Sequence, residues 1–301
     1  MAVVAAADAV AHPPAVPRPH QCAQRGQDVR VDFTGIVVGS DGSASSDEAV
    51  RWAAAEAVRA GVPLRVVVAY HWRWPGRPAR AEELDRFARE HAETMVARSV
   101  TVARQAEPAV AVDGVAVMGV PADVLLTSAA KAAMLVVGAK SDHGFAAALL
   151  GSVAFEVATY ATCPVTVVRG RADGATGPVI AAVDGSAAAE GVLATGFEQA
   201  ARRGCDLLAL RVHPPEAPVA AELAASLAPW RARHPAVRAQ SRLVDGHPAQ
   251  VLVEASRDAR LVVVGHRGHG GFAGLLLGSV GQALLHHAGC PVLVLRGAPP
   301  R

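Results

Sequence analysis

The chain contains one long segment twice. Residues 135–169 read LVVGAKSDHGFAAALLGSVAFEVATYATCPVTVVR, and residues 261–296 repeat the pattern as LVVVGHRGHGGFAGLLLGSVGQALLHHAGCPVLVLR, with equivalent positions 127 residues apart. An Asp-Gly-Ser tripeptide also recurs, at 41–43 and 184–186, with an offset of 143. The first copy therefore carries about 16 extra residues between these landmarks. A repeat of this length is a duplicated domain, because solenoid units are only about 20–50 residues long.

Each copy alternates β-branched runs with helical stretches. In the second copy VIAAVDGS (179–186) leads to VLATGFEQAARRG (192–204) and then to DLLALRV (206–212). Strands that alternate with helices predict a parallel sheet covered by helices on both faces. Near-continuous runs of Val and Leu are typical of strands that are buried on both sides. We therefore predict two α/β/α domains, each with a five-stranded parallel sheet.

The composition at the ends of the repeats sets the predicted domain boundaries. Residues 1–32 are rich in Ala, Pro and Arg without periodicity, which predicts a disordered tail. The domains are expected at 33–169 and 178–297, joined by a Gly-rich linker at 170–177.

The overall composition limits the partners of the chain. A net charge of +2 leaves no basic footprint for nucleic acid, and 4% aromatic residues disfavour base-stacking platforms. Residues 144–168 carry a single charge, but Gly-Ser and Cys-Pro interrupt them, so a membrane span is not expected. The N-terminus lacks the basic residues of a signal peptide. We expect a cytoplasmic protein that binds neither nucleic acid nor membranes.

The four cysteines predict no metal or redox site. They are Cys22, Cys163, Cys205 and Cys290, and no Cys-x2-Cys pair occurs among them. Cys163 and Cys290 precede Pro at the start of equivalent strands, where buried free thiols are the expected state.

A glycine-containing loop carries the predicted chemistry of the second copy. It has the spacing Gly265-x2-Gly268-x9-Gly278-Ser279, starts at the end of a strand and finishes where a helix begins. Backbone N–H groups at a helix N-terminus favour a phosphate, and glycine allows the backbone to approach an anion closely. Ser279 can cap the helix or donate its hydroxyl to a phosphate oxygen. The alternative interpretation is an ordinary strand–helix turn.

The motifs together resemble the universal stress protein family. The order VDGS, Gly-x-Pro-Ala, VVVGHRGHGGFAGLLLGSV and CPVLVLR is similar to that family, whose ATP-binding members carry Gly-x2-Gly-x9-Gly-Ser/Thr. The resemblance covers residues 34–169 and 178–296. It implies Rossmann-like domains of the adenine nucleotide alpha hydrolase-like type. It also implies that the ligand is ATP (or ADP or AMP), with or without Mg²⁺.

The resemblance also implies which residues contact the nucleotide. In the family the Asp after the first strand lies beside the nucleoside, and the backbone at the end of the second strand contacts adenine. In the second copy the corresponding residues are Asp184, Val212, Gly265, His266, Gly268, Gly278, Ser279 and Val280. In the first copy they are Asp41, Ala69, Gly138, Lys140, Ser141, Gly151, Ser152 and Val153.

The first copy departs from the loop pattern, which predicts unequal sites. Ser141 replaces the second glycine and Asp142 follows it. Serine resists a positive φ, and a carboxylate at 4 Å repels a phosphate charge by about 1 kcal/mol in water, although Lys140 offsets part of this. We predict tighter binding in the second copy. The first copy has the fuller Asp41-Gly-Ser-x-Ser-Ser segment, which favours tighter binding in the first copy instead.

Other nucleotide-binding motifs are absent or incomplete. There is no Gly-x4-Gly-Lys-Ser/Thr, which excludes a P-loop NTPase. Gly268-x-Gly270-x2-Ala273 imitates a dinucleotide fingerprint, but the next strand ends at Leu295-Arg296 rather than at an acidic residue. The predicted function is a nucleotide-binding stress protein that is not a dedicated enzyme, in which ATP biases a conformation or a partner surface. A slow ATPase or nucleotidyl-transferring enzyme, and a nucleotide-independent scaffold, stay open as alternatives.

The two copies are expected to pair with each other. CPVTVVR (163–169) and CPVLVLR (290–296) are equivalent fifth strands, and a strand at a sheet edge exposes unpaired backbone groups that need a partner. Members of the family commonly dimerise, so we predict that these edges associate about a pseudo-twofold axis within one chain. The sequence is also compatible with a homodimer of two whole chains.

Overall fold

The computed structural model describes residues 32–71, 81–139, 150–170, 176–186, 188–214, 216–266 and 277–296. The predicted tail therefore lies outside the described residues except at Asp32, and so do residues 171–175 of the predicted linker. Among the described residues no helix has the length and apolar character that a bilayer crossing requires.

The described residues of the first half form five strands and four helices in strict alternation. They are β1 (Ile36–Gly39), α1 (Ala44–Ala60), β2 (Leu64–Tyr70), α2 (Ala81–Ala106), β3 (Val112–Met118), α3 (Pro121–Ser128), β4 (Met134–Gly138), α4 (Ser152–Tyr160) and β5 (Val165–Val168).

The second half repeats this order with a divided middle helix. Its elements are β6 (Val179–Ala182), α5 (Ala189–Arg203), β7 (Leu207–Val212), α6 (Ala217–Ser226), α7 (Ala228–Arg233), β8 (Ala239–Val244), α8 (Pro248–Ala255), a 3₁₀ turn (Ser256–Asp258), β9 (Leu261–Gly265), α9 (Ser279–His287) and β10 (Val292–Leu295). The 26 residues of α2 stand where the second half has 10 in α6 and 6 in α7, which accounts for much of the extra length of the first copy.

The strands form one sheet in the order β3-β2-β1-β4-β5-β10-β9-β6-β7-β8. Within each half all neighbouring strands are parallel. This confirms the predicted α/β class with five parallel strands in each half. Two hydrophobic clusters, one on each face of the sheet, both contain residues from the two halves.

The fifth strands of the two halves are antiparallel neighbours. Thr166 in β5 pairs with Leu293 in β10, flanked by the pairs Val165–Val294 and Val167–Val292. Thr166 and Leu293 occupy equivalent positions of the two repeats, so a pseudo-twofold axis passes between them. Both side chains are fully buried.

An arginine at the end of each fifth strand reaches the opposite half. The Arg169 Nε donates to the carbonyl of Ala288 at 3.0 Å, and its Nη1 donates to the carbonyl of Leu285. The equivalent Arg296 donates to the carbonyl of Thr159. These carbonyls lie at the C-terminal ends of α9 and α4, where a cation complements the helix dipole.

Local chemistry explains the helix starts and the buried thiols. Pro121 and Pro248 open α3 and α8, as the Gly-x-Pro-Ala motif predicts, because the first N–H of a helix has no intrahelical partner. Cys163 and Cys290 are buried free thiols, as predicted. Burial raises the pKa of Cys163 to about 11 and that of Cys290 to about 12, which disfavours a nucleophilic thiolate at neutral pH.

Candidate functional site

The predicted nucleotide residues lie where the strand order of each half reverses. In the first half the sheet grows from β1 to β2 and β3 on one side and to β4 and β5 on the other, so the strand order reverses between β1 and β4. In the second half it reverses in the same way between β6 and β9. Ligands of open α/β sheets bind at the carboxyl ends of strands at such a switch point. A Cβ added to Gly138, at the end of β4, would lie 2.6 Å from the Ser45 carbonyl oxygen, so β4 ends directly against the first turn of α1.

The Asp-Gly-Ser segments form the same tight turn in both halves. The Oδ1 of Asp41 accepts the N–H of Ser43 at 3.0 Å, and the Oδ1 of Asp184 accepts the N–H of Ser186 at 2.9 Å. The intervening glycines have φ values of +78° and +81°, a conformation that favours glycine. Each aspartate thus fixes the shape of its turn by an Asx hydrogen bond.

The turn of the first half leads directly into a capped helix. Ser43 is the N-cap of α1, where its Oγ accepts the N–H of Ser46 at 3.2 Å. Behind it the hydroxyl of Ser40 lies 3.2 Å from that of Ser46 and 3.0 Å from that of Ser99 in α2. This buried serine cluster joins the turn to α2.

The corresponding turn of the second half is built differently. α5 begins only at Ala189, without a side-chain cap. The Oγ of Ser186 is buried and has no hydrogen-bond partner in the part of the chain that the structure describes. The two repeats therefore share the aspartate turn but not the helix cap.

An arginine packs on each aspartate turn, and no sequence motif indicates either of them. Arg98 of α2 donates to the carbonyl of Gly42 at 2.9 Å and pairs with Asp47. In the second half Arg211 of β7 lies so close to Gly185 that an added Cβ would be 2.8 Å from its Nη2. The two arginines come from different elements, so the repeat pattern gave no signal for them. Each places a cation beside the predicted site.

Both glycine loops are closed at their base by one backbone hydrogen bond. The N–H of Gly151 donates to the carbonyl of Ala139 at 2.8 Å, and the N–H of Gly278 donates to the carbonyl of His266 at 3.0 Å. Gly151 and Gly278 are the N-caps of α4 and α9, and both have a φ of −66°. These two glycines do not need a positive φ. At this position a glycine instead leaves the helix N-terminus without a side chain in front of it.

The other predicted residues fall into three groups. Ser152 and Val153 lie in the first turn of α4, and Ser279 and Val280 in the first turn of α9. Ala69 and Val212 lie half-buried at the ends of β2 and β7, and Gly265 ends β9. Three predicted residues lie outside the described residues: Lys140, Ser141 and Gly268.

The side chain of His266 contacts the other half of the chain. Its ring is buried, and Nε2 lies 3.2 Å from the carbonyl oxygen of Thr159 in the other half. Its backbone N–H donates to Leu295 at 2.7 Å and its carbonyl accepts Gly278, so the residue anchors the loop through its main chain. The equivalent residue of the first half is Ala139, which has no side chain that could make such a contact.

A cavity of about 320 Å³ opens beside the predicted base position of the first half. Tyr70 and Met118 at the ends of β2 and β3 form one side, and Arg86 and Arg89 of α2 form the other. The longer α2 of the first copy supplies this second side. Among the described residues no cluster of three or more His, Cys, Asp or Glu side chains is arranged to hold a metal ion.

Comparison with protein families assigns both halves. The model of the universal stress protein family matches residues 33–169 and 176–296. The chain belongs to this family. Because the family model matches twice, the chain is a tandem member, and the resemblance inferred from the motifs is confirmed.

Relatives of similar architecture support this assignment. A universal stress protein of Mycolicibacterium smegmatis is 37% identical over 290 residues, covering 87% of this chain and 97% of the relative. A universal stress protein of Mycobacterium tuberculosis is 35% identical over 286 residues, with the same coverage. The crystal structure of a universal stress protein from Archaeoglobus fulgidus, 17% identical, superposes with a TM-score of 0.73 over 88% of this chain and 99% of its own. That likeness concerns the fold.

Proposed function

We propose that this tandem universal stress protein binds an adenine nucleotide and acts as a ligand-biased regulatory or protective protein in a stress response. The observation that carries the proposal is the shared geometry of the two halves. In each, an Asx turn after the first strand lies at the same sheet edge as a glycine loop that ends at an uncapped helix N-terminus.

Three features of each site support an anionic ligand. The N-termini of α4 and α9 have no side-chain cap among the residues that the structure describes, and the first N–H groups of a helix have no intrahelical partner. Gly151 and Gly278 place no side chain of their own at these N-caps. Arg98 and Arg211 each place a guanidinium at an aspartate turn, where Asp47 pairs with Arg98 and Glu222 lies 3.7 Å from Arg211. The choice of ATP, ADP or AMP, with or without Mg²⁺, rests on the Gly-x2-Gly-x9-Gly-Ser pattern that the ATP-binding members of the family carry.

We further propose that the chain is not a dedicated enzyme and that it acts in the cytoplasm. The buried thiols are protonated at neutral pH, and the aspartates of the candidate sites are engaged in their own turns. Nucleotide binding in this role biases a conformation or a partner surface.

The proposed functional unit is the paired tandem. Antiparallel pairing of β5 and β10 gives one chain the arrangement of a dimer of single domains. Each half then presents its candidate site at its own switch point.

The direct test is the ligand itself. Purified chain is denatured, and released small molecules are identified by mass spectrometry; we expect an adenine nucleotide. Chain that releases none and whose thermal midpoint does not rise when ATP is added would favour the nucleotide-independent scaffold. Steady turnover of ATP with a divalent metal would instead favour the slow ATPase.

A further inference from the structure

The second half has an apolar groove that is separate from the candidate nucleotide site. This β7–β8 groove has a volume of about 500 Å³. Its floor and walls include Leu208 and Leu210 of β7, Val244 of β8 and Val251 of α8, with Arg242 and Glu254 at its rim. It lies on the face of β7 and β8 that α8 covers, and none of its lining residues is a predicted nucleotide residue, although Val244 is the register partner of Val212.

The first half shows how the equivalent face is covered. Strand register makes Arg65 the counterpart of Leu208. The guanidinium of Arg65 lies 4.3 Å from the ring centroid of Phe33 and makes two hydrogen bonds with Asp113, at 2.9 and 2.6 Å. An aromatic ring, a cation and a carboxylate therefore pack together on this face.

These covering groups are replaced in the second half. The residues at the positions of Phe33, Arg65 and Asp113 are Thr176, Leu208 and Gln240. Thr176 is exposed and Gln240 is exposed, so neither closes the face. With the ring and the ion pair replaced, Leu208 is left half-buried at the floor of the groove, beside the buried Leu210.

The rim of the groove supplies one uncompensated positive charge. Arg242 is exposed and makes no ion pair with any residue that the structure describes. Glu254, on the opposite rim, is paired with Arg257 at 2.6 Å. A guanidinium beside an apolar floor suits a ligand with an apolar body and a carboxylate, because a guanidinium binds a carboxylate bidentately.

We propose that the β7–β8 groove binds a small amphipathic carboxylate, an aromatic ring or short apolar chain with one carboxyl group. The ring occupies the place that Phe33 fills in the first half, and the carboxylate pairs with Arg242. The volume falls within the range of about 300–1,000 Å³ that is usual for small-molecule sites.

The test uses the full chain and a matched pair of probes. Indole-3-propionate and its neutral amide are titrated at low salt by calorimetry or ligand-observed NMR. We expect submillimolar binding of the carboxylate and about tenfold weaker binding of the amide. Arg242→Gln should bring the carboxylate to the level of the amide, whereas Arg238→Gln, an exposed arginine outside the groove, should change neither.

A second variant introduces the three covering residues of the first half into the second half. Thr176→Phe, Leu208→Arg and Gln240→Asp together should abolish binding of both probes while circular dichroism and the thermal midpoint show a folded protein. Absence of carboxylate binding up to about 5 mM, or equal effects of Arg242→Gln and Arg238→Gln, would overturn the proposal. So would competition by ATP, or binding that requires removal of residues 1–31, since the occupant would then be a nucleotide or the chain itself.

Discussion

The carboxylate of Glu56 in α1 accepts a hydrogen bond at 3.0 Å from the side-chain amide of Gln199 in α5. The two residues occupy equivalent positions of the repeats, 143 apart, so they meet near the pseudo-twofold axis. Both are almost completely buried. Arg203 makes the shortest ion pair with Glu56, at an Nη2–Oε2 distance of 2.7 Å, and Arg59 and Arg202 lie 3.6 and 3.9 Å from the same carboxylate. The contact between the halves is therefore asymmetric: an anion on one side meets an amide and a cation on the other.

Replacing Glu56 by Ala should strongly destabilise the chain. Burial lowers the pKa of the Arg203 guanidinium, and the nearby Glu56 opposes that shift. Removal of the carboxylate leaves a buried cation unpaired, which costs about 3–5 kcal/mol. The free energy of unfolding from urea titration measures the loss. Glu48→Ala, at an exposed position of the same helix, is the control, and a loss below about 1 kcal/mol for Glu56→Ala would show that the pair contributes little.

Gly278→Asp should weaken ATP binding without unfolding the protein. Gly278 has φ −66° and ψ 154° at the N-cap of α9, a position and conformation that suit aspartate. The new carboxylate stands where the phosphate is expected, so we predict at least about tenfold weaker binding by calorimetry.

Gly278→Asn is the matched control for that variant, since asparagine also caps helices but carries no charge. The Asn variant should bind ATP more tightly than the Asp variant. If Gly278→Asp stays within twofold of the unmodified chain, the loop of the second half is not the phosphate site.

The equivalent substitution in the first half measures the asymmetry of the sites. Gly151 has the same N-cap geometry as Gly278, so Gly151→Asp introduces the same charge at the same place. We predict a smaller loss of ATP affinity from Gly151→Asp, because Ser141-Asp142 already weakens the first loop. A larger loss from Gly151→Asp would reverse the ranking.

Leu293→Arg should destabilise both halves in one transition. Leu293 is fully buried beside Thr166 where β5 meets β10, and an arginine there buries an unpaired charge in the shared sheet. Thermal unfolding, followed by calorimetry, should show a single shifted transition. Val58→Arg, at an exposed site of α1, should leave the midpoint nearly unchanged. Two independent transitions in the unmodified chain would contradict coupling through the fifth strands.

The buried thiols predict a loss of stability at alkaline pH. Burial raises the pKa of Cys163 to about 11 and of Cys290 to about 12, above the ordinary value of 9.0. Between the ordinary pKa and the raised pKa, each of these thiols is deprotonated in the unfolded chain but still protonated in the folded chain. The free energy of unfolding should therefore fall above pH 9, by at most about 1.4 kcal/mol per pH unit for each thiol.

Urea titrations between pH 8 and 11 measure this slope. The variant with Cys163→Ala and Cys290→Ala should be less stable at pH 8 but should show a flatter dependence on pH. An equal slope in both proteins would assign the alkaline loss to other groups.

Features that depend on neighbouring residues were predictable from the sequence. The alternation of apolar runs and helical stretches predicted the five-stranded halves, and proline at the first helical position predicted the starts of α3 and α8. The Asp-Gly-Ser tripeptides marked the turns after β1 and β6, because an Asx turn and a positive φ at glycine are local properties. The family's loop spacing marked Gly151 and Gly278 as helix starts.

Contacts between distant residues depended on the tertiary structure. No motif indicated that Arg98 packs on the turn at Gly42, that His266 reaches Thr159, or that Glu56 meets Gln199. These partners are separated by 56, 107 and 143 residues and become neighbours only through the strand order and the pairing of β5 with β10. The sequence by itself determined the repeat, its secondary structure and the turns of the candidate site, since those follow from short-range periodicity and turn chemistry. Only the tertiary structure decided which charges and helix ends face each other across the two halves, because that depends on how the whole sheet is assembled.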